Sequence, residues 1–277
     1  MAKLLNGAEL VGYIKERQAR QVRALRQAWE TIPRLVIIKS TSASAVIDVY
    51  VRMKQRYGDD ILIETVIETV DDAAMPEMIK RHNDDPQTHG IIVQLPLADP
   101  AKTDEIVNLI APEKDVDGLG NRARYDSATA TAINWLLAGY GVNLSKKAIA
   151  IVGEGRLVGA PLARMWRNSG YNVTVVDKKY GDIDLKETLR ASEVIVTATG
   201  VPRLITTDMV PVGSVVVDAG TASEGGVIVG DVDSAVRLRD DLKITPEKGG
   251  VGPLTIAALF DNVIQAAQAA AKQNEEG

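Results

Sequence analysis

The chain contains no cysteine, which excludes disulfides, thiolate metal sites and a cysteine nucleophile together. Aromatic residues are scarce, 4% with a single Phe, while 45% of residues are hydrophobic. The core must therefore be built from Val, Ile, Leu and Ala, the material of a buried parallel α/β sheet. Only two histidines occur, His82 and His89. Neither has triad or metal-ligand spacing, so no metal site is expected and both are given a surface or structural role. Basic residues are dispersed and the net charge is -5, which argues against a nucleic-acid groove or an anionic membrane surface. No apolar run reaches membrane-spanning length, and the first residues lack the apolar stretch of a signal peptide. The expectation is a cytoplasmic protein with a small-molecule partner and no membrane or nucleic-acid contact.

What is present is alternation. At 277 residues the chain is long enough for two domains with separate cores. Helical periodicity over Ala8 to Trp29 is followed by an apolar strand, Arg34 to Ile38, then a helix carrying Tyr50 and Lys54. A strand over Ile61 to Ile67, a helix over Asp72 to Asn83 and a buried strand from Gly90 to Leu95 complete a first run. After a connecting helix, Asp126 to Tyr140, a second run has strands at Lys147 to Val152, Asn172 to Asp177, Glu193 to Ala198, Ser214 to Asp218 and Lys243 to Thr245. Helices fit Val158 to Asn168 and Leu185 to Ala191, and an alanine-rich helix runs from Leu254. Such alternation implies parallel sheets.

Two glycine-rich turns stand out. Gly249-Gly250-Val251-Gly252-Pro253-Leu254-Thr255 leads into the last helix and offers main-chain amides to a ligand, with Pro253 suited to helix entry. Gly153-Glu154-Gly155-Arg156-Leu157-Val158-Gly159 lies at a strand-to-helix junction, where glycines admit a pyrophosphate and the helix N-terminus stabilises it. Asp177, ending the next strand, stands where a dinucleotide fold places an acid against the adenosine ribose. A carboxylate there accepts both ribose hydroxyls and repels a 2′-phosphate, so NAD is favoured over NADP. Lys178, Lys179 and Arg156 keep NADP possible. Thr199-Gly200 and Asp218-Ala219-Gly220-Thr221 follow later strands at the ligand-binding edge.

Tyr50 and Lys54 are four apart and share a helix face. Together with Gly90-Ile91-Ile92-Val93-Gln94-Leu95-Pro96-Leu97, Lys114-Asp115-Val116-Asp117-Gly118 and the last glycine turn, they resemble the bifunctional methylenetetrahydrofolate dehydrogenase/cyclohydrolase family. The resemblance runs from about Leu5 to Ala271. It implies an N-terminal α/β substrate domain, residues 1–125 joined by the C-terminal helix 255–277, and a Rossmann-type dinucleotide-binding domain, residues 126–254. It also implies a homodimer, tetrahydrofolate derivatives as substrates and a place in one-carbon metabolism and purine biosynthesis. By that resemblance Tyr50 stacks on the folate ring system, and Lys54 carries the cyclohydrolase step, oriented by Gln94. Asp117 takes the amino-pyrimidine edge, and Val93, Leu95, Gly250, Gly252 and Pro253 complete the substrate wall. The cofactor falls to Gly153, Glu154, Gly155, Arg156, Leu157, Val158, Asp177, Lys178, Thr199, Gly200 and Thr221.

The chain departs from that family in places. Gly153-Glu154-Gly155 replaces a Gly-Arg-Ser turn, and Asp177-Lys178 replaces a His-Ser pair; both changes disfavour a 2′-phosphate. Ser127-Ala128-Thr129-Ala130-Thr131-Ala132 replaces a Pro-Cys-Thr-Pro-x-Gly turn, and Lys39 to Ser44 lacks a Gly-Asp-Asp-Pro turn. Two alternatives stay open on the sequence: a monofunctional dehydrogenase, and a non-catalytic dinucleotide-binding regulatory protein.

Overall fold

The computed structural model describes residues 3–177, 184–224 and 227–276. The chain divides into two compact units, Gly12–Ala128 with Ile256–Gly277, and Met1–Val11 with Thr129–Thr255.

The first unit is built on three parallel strands in the order β3-β2-β4: β2 (Arg34–Ser40), β3 (Glu64–Val70) and β4 (Gly90–Val93). Leu35 to Ile38 in the central strand are fully buried. With Met75, Ile79, Ile91, Val93 and Ile106, Val36 and Ile38 form one apolar core. Each such side chain removed from water contributes roughly 2 kcal/mol. Helix α1 (Gly7–Trp29) leads into β2, and helices α2 (Ala45–Asp60) and α3 (Met75–Asp84) connect the strands. Strand β3 starts three residues later than the apolar pattern predicts, because Ile61 to Ile63 close the end of α2. The Ile63 N–H donates to the Gly58 carbonyl, and Leu62 adopts φ 66°. Both histidines are buried, at 7% and 8% exposure, so their role is internal and not on the surface. His89 Nδ1 accepts the Arg34 backbone N–H, and burial pushes its pKa down to about 4.

The second unit carries a six-stranded sheet in the order β1-β11-β8-β7-β5-β6. Its strands are β1 (Lys3–Leu4), β5 (Ala148–Val152), β6 (Asn172–Val176), β7 (Val194–Thr197), β8 (Val215–Asp218) and β11 (Lys243–Ile244), all parallel. The resemblance implies a first domain of residues 1–125; by their contacts residues 1–11 group with this sheet. The cause is β1, which adds to the edge through Lys3 N–H to Leu242 O and Leu5 N–H to Ile244 O. Two exposed residues give no periodicity to read. Helices α5 (Ala128–Gly139), α6 (Gly159–Asn168) and α7 (Leu185–Arg190) follow the expected order. Unforeseen are α4 (Thr103–Val107), a short β9–β10 hairpin (Ala222–Glu224 and Val227–Val229) and α8 (Ser234–Arg237). The alanine-rich segment in place of the Pro-containing turn simply starts α5, with Ala128, Ala130 and Ala132 fully buried. The last helix, α9 (Val251–Glu276), begins three residues before Leu254.

In both sheets the chain leaves a central strand toward one side and returns on the other. In the six-stranded sheet, β6 and β7 flank β5 in this way. Diverging loops at the carboxyl ends of such strands open a crevice, which is where ligands of open α/β sheets bind.

Candidate functional site

In the three-stranded unit, α2 brings Lys54 to the carboxyl end of β4. Lys54 Nζ donates to Gln94 Oε1 at 2.7 Å, and Gln94 Nε2 donates to the Leu95 carbonyl at 3.1 Å. The amide is thus held with its oxygen toward the lysine. Burial lowers the Lys54 pKa, with the Asp117 carboxylate pulling the other way. Burial likewise raises Asp117, opposed by Lys54. A lysine so placed releases its proton nearer neutrality than a solvated one. Tyr50, one helical turn before Lys54, has its pKa raised by burial and is a neutral phenol.

The Lys-Asp-Val-Asp-Gly segment explains how Asp117 is placed. Lys114 Nζ donates to the carbonyls of His82, Asn83 and Asp85 and so closes the end of α3. Asp115, 2% exposed, accepts the Gly118 N–H at 3.0 Å and the Gly120 N–H at 2.7 Å. Burial first, and Asp117 in addition, push its pKa up to about 6 against those hydrogen bonds. Asn262 on α9 donates to the carbonyls of Val116 and Asp126. Gly118 adopts φ 69°, and a Cβ there would lie 2.7 Å from backbone atoms of residues 125–127. Asp117 is left to interact with Lys54. Val93, 4% exposed, commits its side chain to the core, and Leu95 packs against the same cluster. Any ligand contact at these two positions falls to the main chain.

In the six-stranded unit the glycine turn between β5 and α6 has the required backbone. Gly153 adopts φ 90°, and a Cβ on Gly159 would meet the Gly153 carbonyl oxygen at 1.8 Å. A cleft of about 280 Å³ is lined by residues 155–158, 198–200 and 219–221, the loops after β5, β7 and β8. Thus Gly155, Arg156, Leu157, Val158, Thr199, Gly200 and Thr221 come together. Asp177 Oδ2 accepts the Glu154 N–H at 2.8 Å, fastening the end of β6 to the glycine turn. Lys178 and Lys179 lie outside the described residues. This cradle of glycines with an acid beside it fits a dinucleotide. A larger hollow of about 450 Å³, lined by residues such as Lys147, Arg190, Val212 and Lys243, lies at the amino ends of the strands. That is the wrong edge for ligand binding in an open α/β sheet.

The last glycine turn belongs to this same unit, apart in the chain from the lysine's unit. Gly249 adopts φ 83° and its carbonyl accepts the Ala8 N–H. Gly250 is buried, and its carbonyl oxygen lies where a Cβ on Gly7 would be, 2.0 Å away. Packing therefore accounts for Gly250. Gly252 is exposed, with open space where a Cβ would stand, and Pro253 sits in the first turn of α9.

Sequence reasoning missed a second polar cluster. Asp218 accepts N–H groups from Gly220, Asp231 and Val232, each at 3.1 Å, and pairs with Arg237 at 2.5 Å. Asp231, fully buried, accepts the Thr199 N–H at 2.7 Å. Only the Gly-Asp-Val-Asp spacing from Gly230 to Asp233 precedes α8, and it reads as helix capping, which Asp233 indeed supplies to Ala235.

A dinucleotide cleft in one α/β unit and a lysine, amide and carboxylate centre in another define a two-unit enzyme of the nicotinamide-dependent dehydrogenase class. The chain belongs to the tetrahydrofolate dehydrogenase/cyclohydrolase family. Residues 5–117 match the model of its catalytic domain and residues 127–271 that of its NAD(P)-binding domain. It is 34% identical over 281 residues to the bifunctional protein FolD of Francisella tularensis subsp. holarctica, spanning 96% of this chain and 98% of that protein. Among solved structures it resembles the bifunctional FolD dehydrogenase/cyclohydrolase of Campylobacter jejuni, with TM-score 0.89 and 31% identity over 97% of this chain and 99% of that one. It also resembles the FolD of Trypanosoma brucei, solved with NADP and an inhibitor, with TM-score 0.87 and 28% identity over 97% and 98% of the two chains.

Proposed function

We propose that this protein oxidises 5,10-methylenetetrahydrofolate to 5,10-methenyltetrahydrofolate with a nicotinamide dinucleotide, and hydrolyses the product to 10-formyltetrahydrofolate. The observation that carries the reading is the Lys54–Gln94 hydrogen bond in the field of Asp117, set in a family member with a dinucleotide cleft. A bound nicotinamide supplies the acceptor for the hydride that leaves the methylene carbon. Asp117 holds the pterin through two neighbouring N–H donors, and Tyr50 stacks on the ring system. In the second reaction water adds to the methenyl carbon, and a C–N bond to the ring nitrogen breaks. Neutral Lys54 accepts the proton of the adding water and returns it to the departing nitrogen, with one further proton going to solvent. Gln94 keeps the amine aimed by accepting its hydrogen bond. Gly252 and Pro253 offer an open turn for the substrate wall.

NAD is the preferred cofactor in this reading. Asp177, fixed on the glycine turn, accepts the ribose hydroxyls and opposes a 2′-phosphate, and Glu154 adds a second carboxylate. Arg156 is the residue that would serve NADP. The protein acts as a homodimer in the cytoplasm, with the folate domain formed by residues 1–125 and the C-terminal helix, less the edge strand β1. The departures from the family pattern do not touch Lys54, Gln94 or Asp117, which disfavours a purely regulatory protein.

Initial rates of methylenetetrahydrofolate oxidation with NAD and with NADP test the cofactor, and a higher rate with NADP would refute the preference. The Lys54→Met variant tests the two activities. Hydrolysis is expected to fall by about 10² to 10⁴-fold with dehydrogenase activity partly kept. Equal loss of both would favour a positional role for Lys54, and no turnover by the wild type would return the regulatory reading.

A further inference from the structure

Behind the wall of the dinucleotide cleft lies a buried charge that the reaction as described does not use. Asp231 is fully buried. Its Oδ2 receives the Thr199 N–H, and its Oδ1 is buried without a hydrogen-bond partner. A Cβ on Gly220 would stand 2.0 Å from that Oδ1. Thr199 and Gly220 both line the cleft, so the carboxylate is separated from the ligand space by a single layer of main chain. Its neighbour Asp218 has a side chain 3% exposed and lies against Gly230, where a Cβ would meet Asp218 Oδ2 at 2.1 Å. Arg237, with 12% of its side chain exposed, pairs with Asp218 and also donates to the Thr245 carbonyl. Arg203, in the adjoining turn, is exposed.

The cluster therefore sums two carboxylates against one buried guanidinium, leaving one negative charge in a region of low dielectric. The pair also explains two glycines: at 220 and 230 the chain must pass within contact of a carboxylate oxygen. A brace alone would need only the Oδ2 acceptor. The second oxygen, pressed against Gly220, has no hydrogen-bond partner among the described residues.

We propose that Asp231 is an electrostatic residue of the cofactor site, whose buried negative charge favours the oxidised nicotinamide, a cation, over the neutral reduced form. This rests on the reading that the loops at 199 and 220 face the nicotinamide end of a bound dinucleotide. A unit charge acting through about 10 Å of protein changes the preference between cation and neutral ring by about threefold to tenfold.

The test is the binding of NAD⁺, NADH and ADP-ribose to the full-length protein by titration calorimetry, repeated with the NADP pair if that is the pair bound. In the wild type the oxidised form binds at least as tightly as the reduced one; a tenfold preference for the reduced form overturns the proposal. Asp231→Asn keeps an acceptor for Thr199 and removes the charge. It is expected to weaken the oxidised form by about threefold to tenfold relative to the reduced form, with ADP-ribose affinity unchanged. Equal weakening of all three ligands makes Asp231 a structural brace and overturns the proposal, as does no change in any. If the wild type binds none of the three, the dinucleotide reading itself has failed, a result separable from failure of the charge effect.

Discussion

The two units hold their ligand-facing parts by opposite means. In the three-stranded unit the groups proposed to act are ionisable side chains taken partly out of water, Lys54, Asp117 and Tyr50, each with its pKa displaced by burial. In the six-stranded unit the cleft lies among glycine-rich loops, at and beside places where no side chain fits, Gly153, Gly159 and Gly220. In the proposed reading, one arrangement tunes a proton and the other admits a dinucleotide. Both rely on a buried aspartate behind the ligand-facing residue. Asp115 holds the Gly118 and Gly120 amides and sets the turn that carries Asp117, and Asp231 holds the Thr199 amide. Placement of function in these units depends on residues that touch no ligand.

The sharpest way to break the contrast is a methyl group. Gly159→Ala puts a Cβ onto the Gly153 carbonyl, so dinucleotide affinity should fall by about 10²-fold, of the order lost when a glycine cradle can no longer approach its anion. Folate binding, measured separately by fluorescence titration, should stay within a factor of two to three, since Tyr50, Lys54 and Asp117 belong to the other unit; loss of both would mean the contrast is false. Gln94→Leu attacks the other side. It removes the acceptor of the Lys54 hydrogen bond and is expected to reduce hydrolysis by about tenfold to a hundredfold while leaving cofactor affinity unchanged.

Asp115 supplies a pH test of the same contrast. Its folded pKa, about 6, lies above the unfolded value of 3.8, so the native state favours the protonated form. The stabilisation is complete below the unfolded value and is lost as pH rises through the folded one. The loss corresponds to about 3 kcal/mol at 1.36 kcal/mol per pH unit. Asp115→Asn cannot ionise, so urea denaturation at pH 4 and at pH 7 should show the variant gaining on the wild type by about 2–3 kcal/mol between them. A constant difference at the two pH values would refute the assignment. Lys114→Met is the mildest change: it uncaps α3 by removing three hydrogen bonds and should cost about 1–2 kcal/mol, with catalytic rates unaffected at temperatures where the protein is folded.

Much of this was legible in the chain because short-range rules carry it. Apolar strands such as Val194 to Thr197 and the glycine spacing at 153, 155 and 159 express local geometry, and Lys54 follows Tyr50 by one helical turn. What was not legible has tertiary causes. Strand β1 is two residues long and exists only because the edge of β11 accepts it. The two histidines read as surface or structural residues until Arg34, Thr88 and the packing of α3 enclose them. The close packing of the Gly250 carbonyl against Gly7, some 240 positions earlier, has no signal in the chain.

By itself the sequence determined the two runs of α/β alternation, the family, and the residue types available for chemistry, since periodicity and motif spacing act within a few turns of chain. The tertiary structure alone decided that the Gln94 oxygen meets Lys54 Nζ at 2.7 Å, that Asp115 sets the turn beneath Asp117, and that Asp231 lies buried behind the Thr199 amide. Hydrogen bonding and desolvation depend on what folding brings within about 3 Å, and no spacing along the chain encodes that distance.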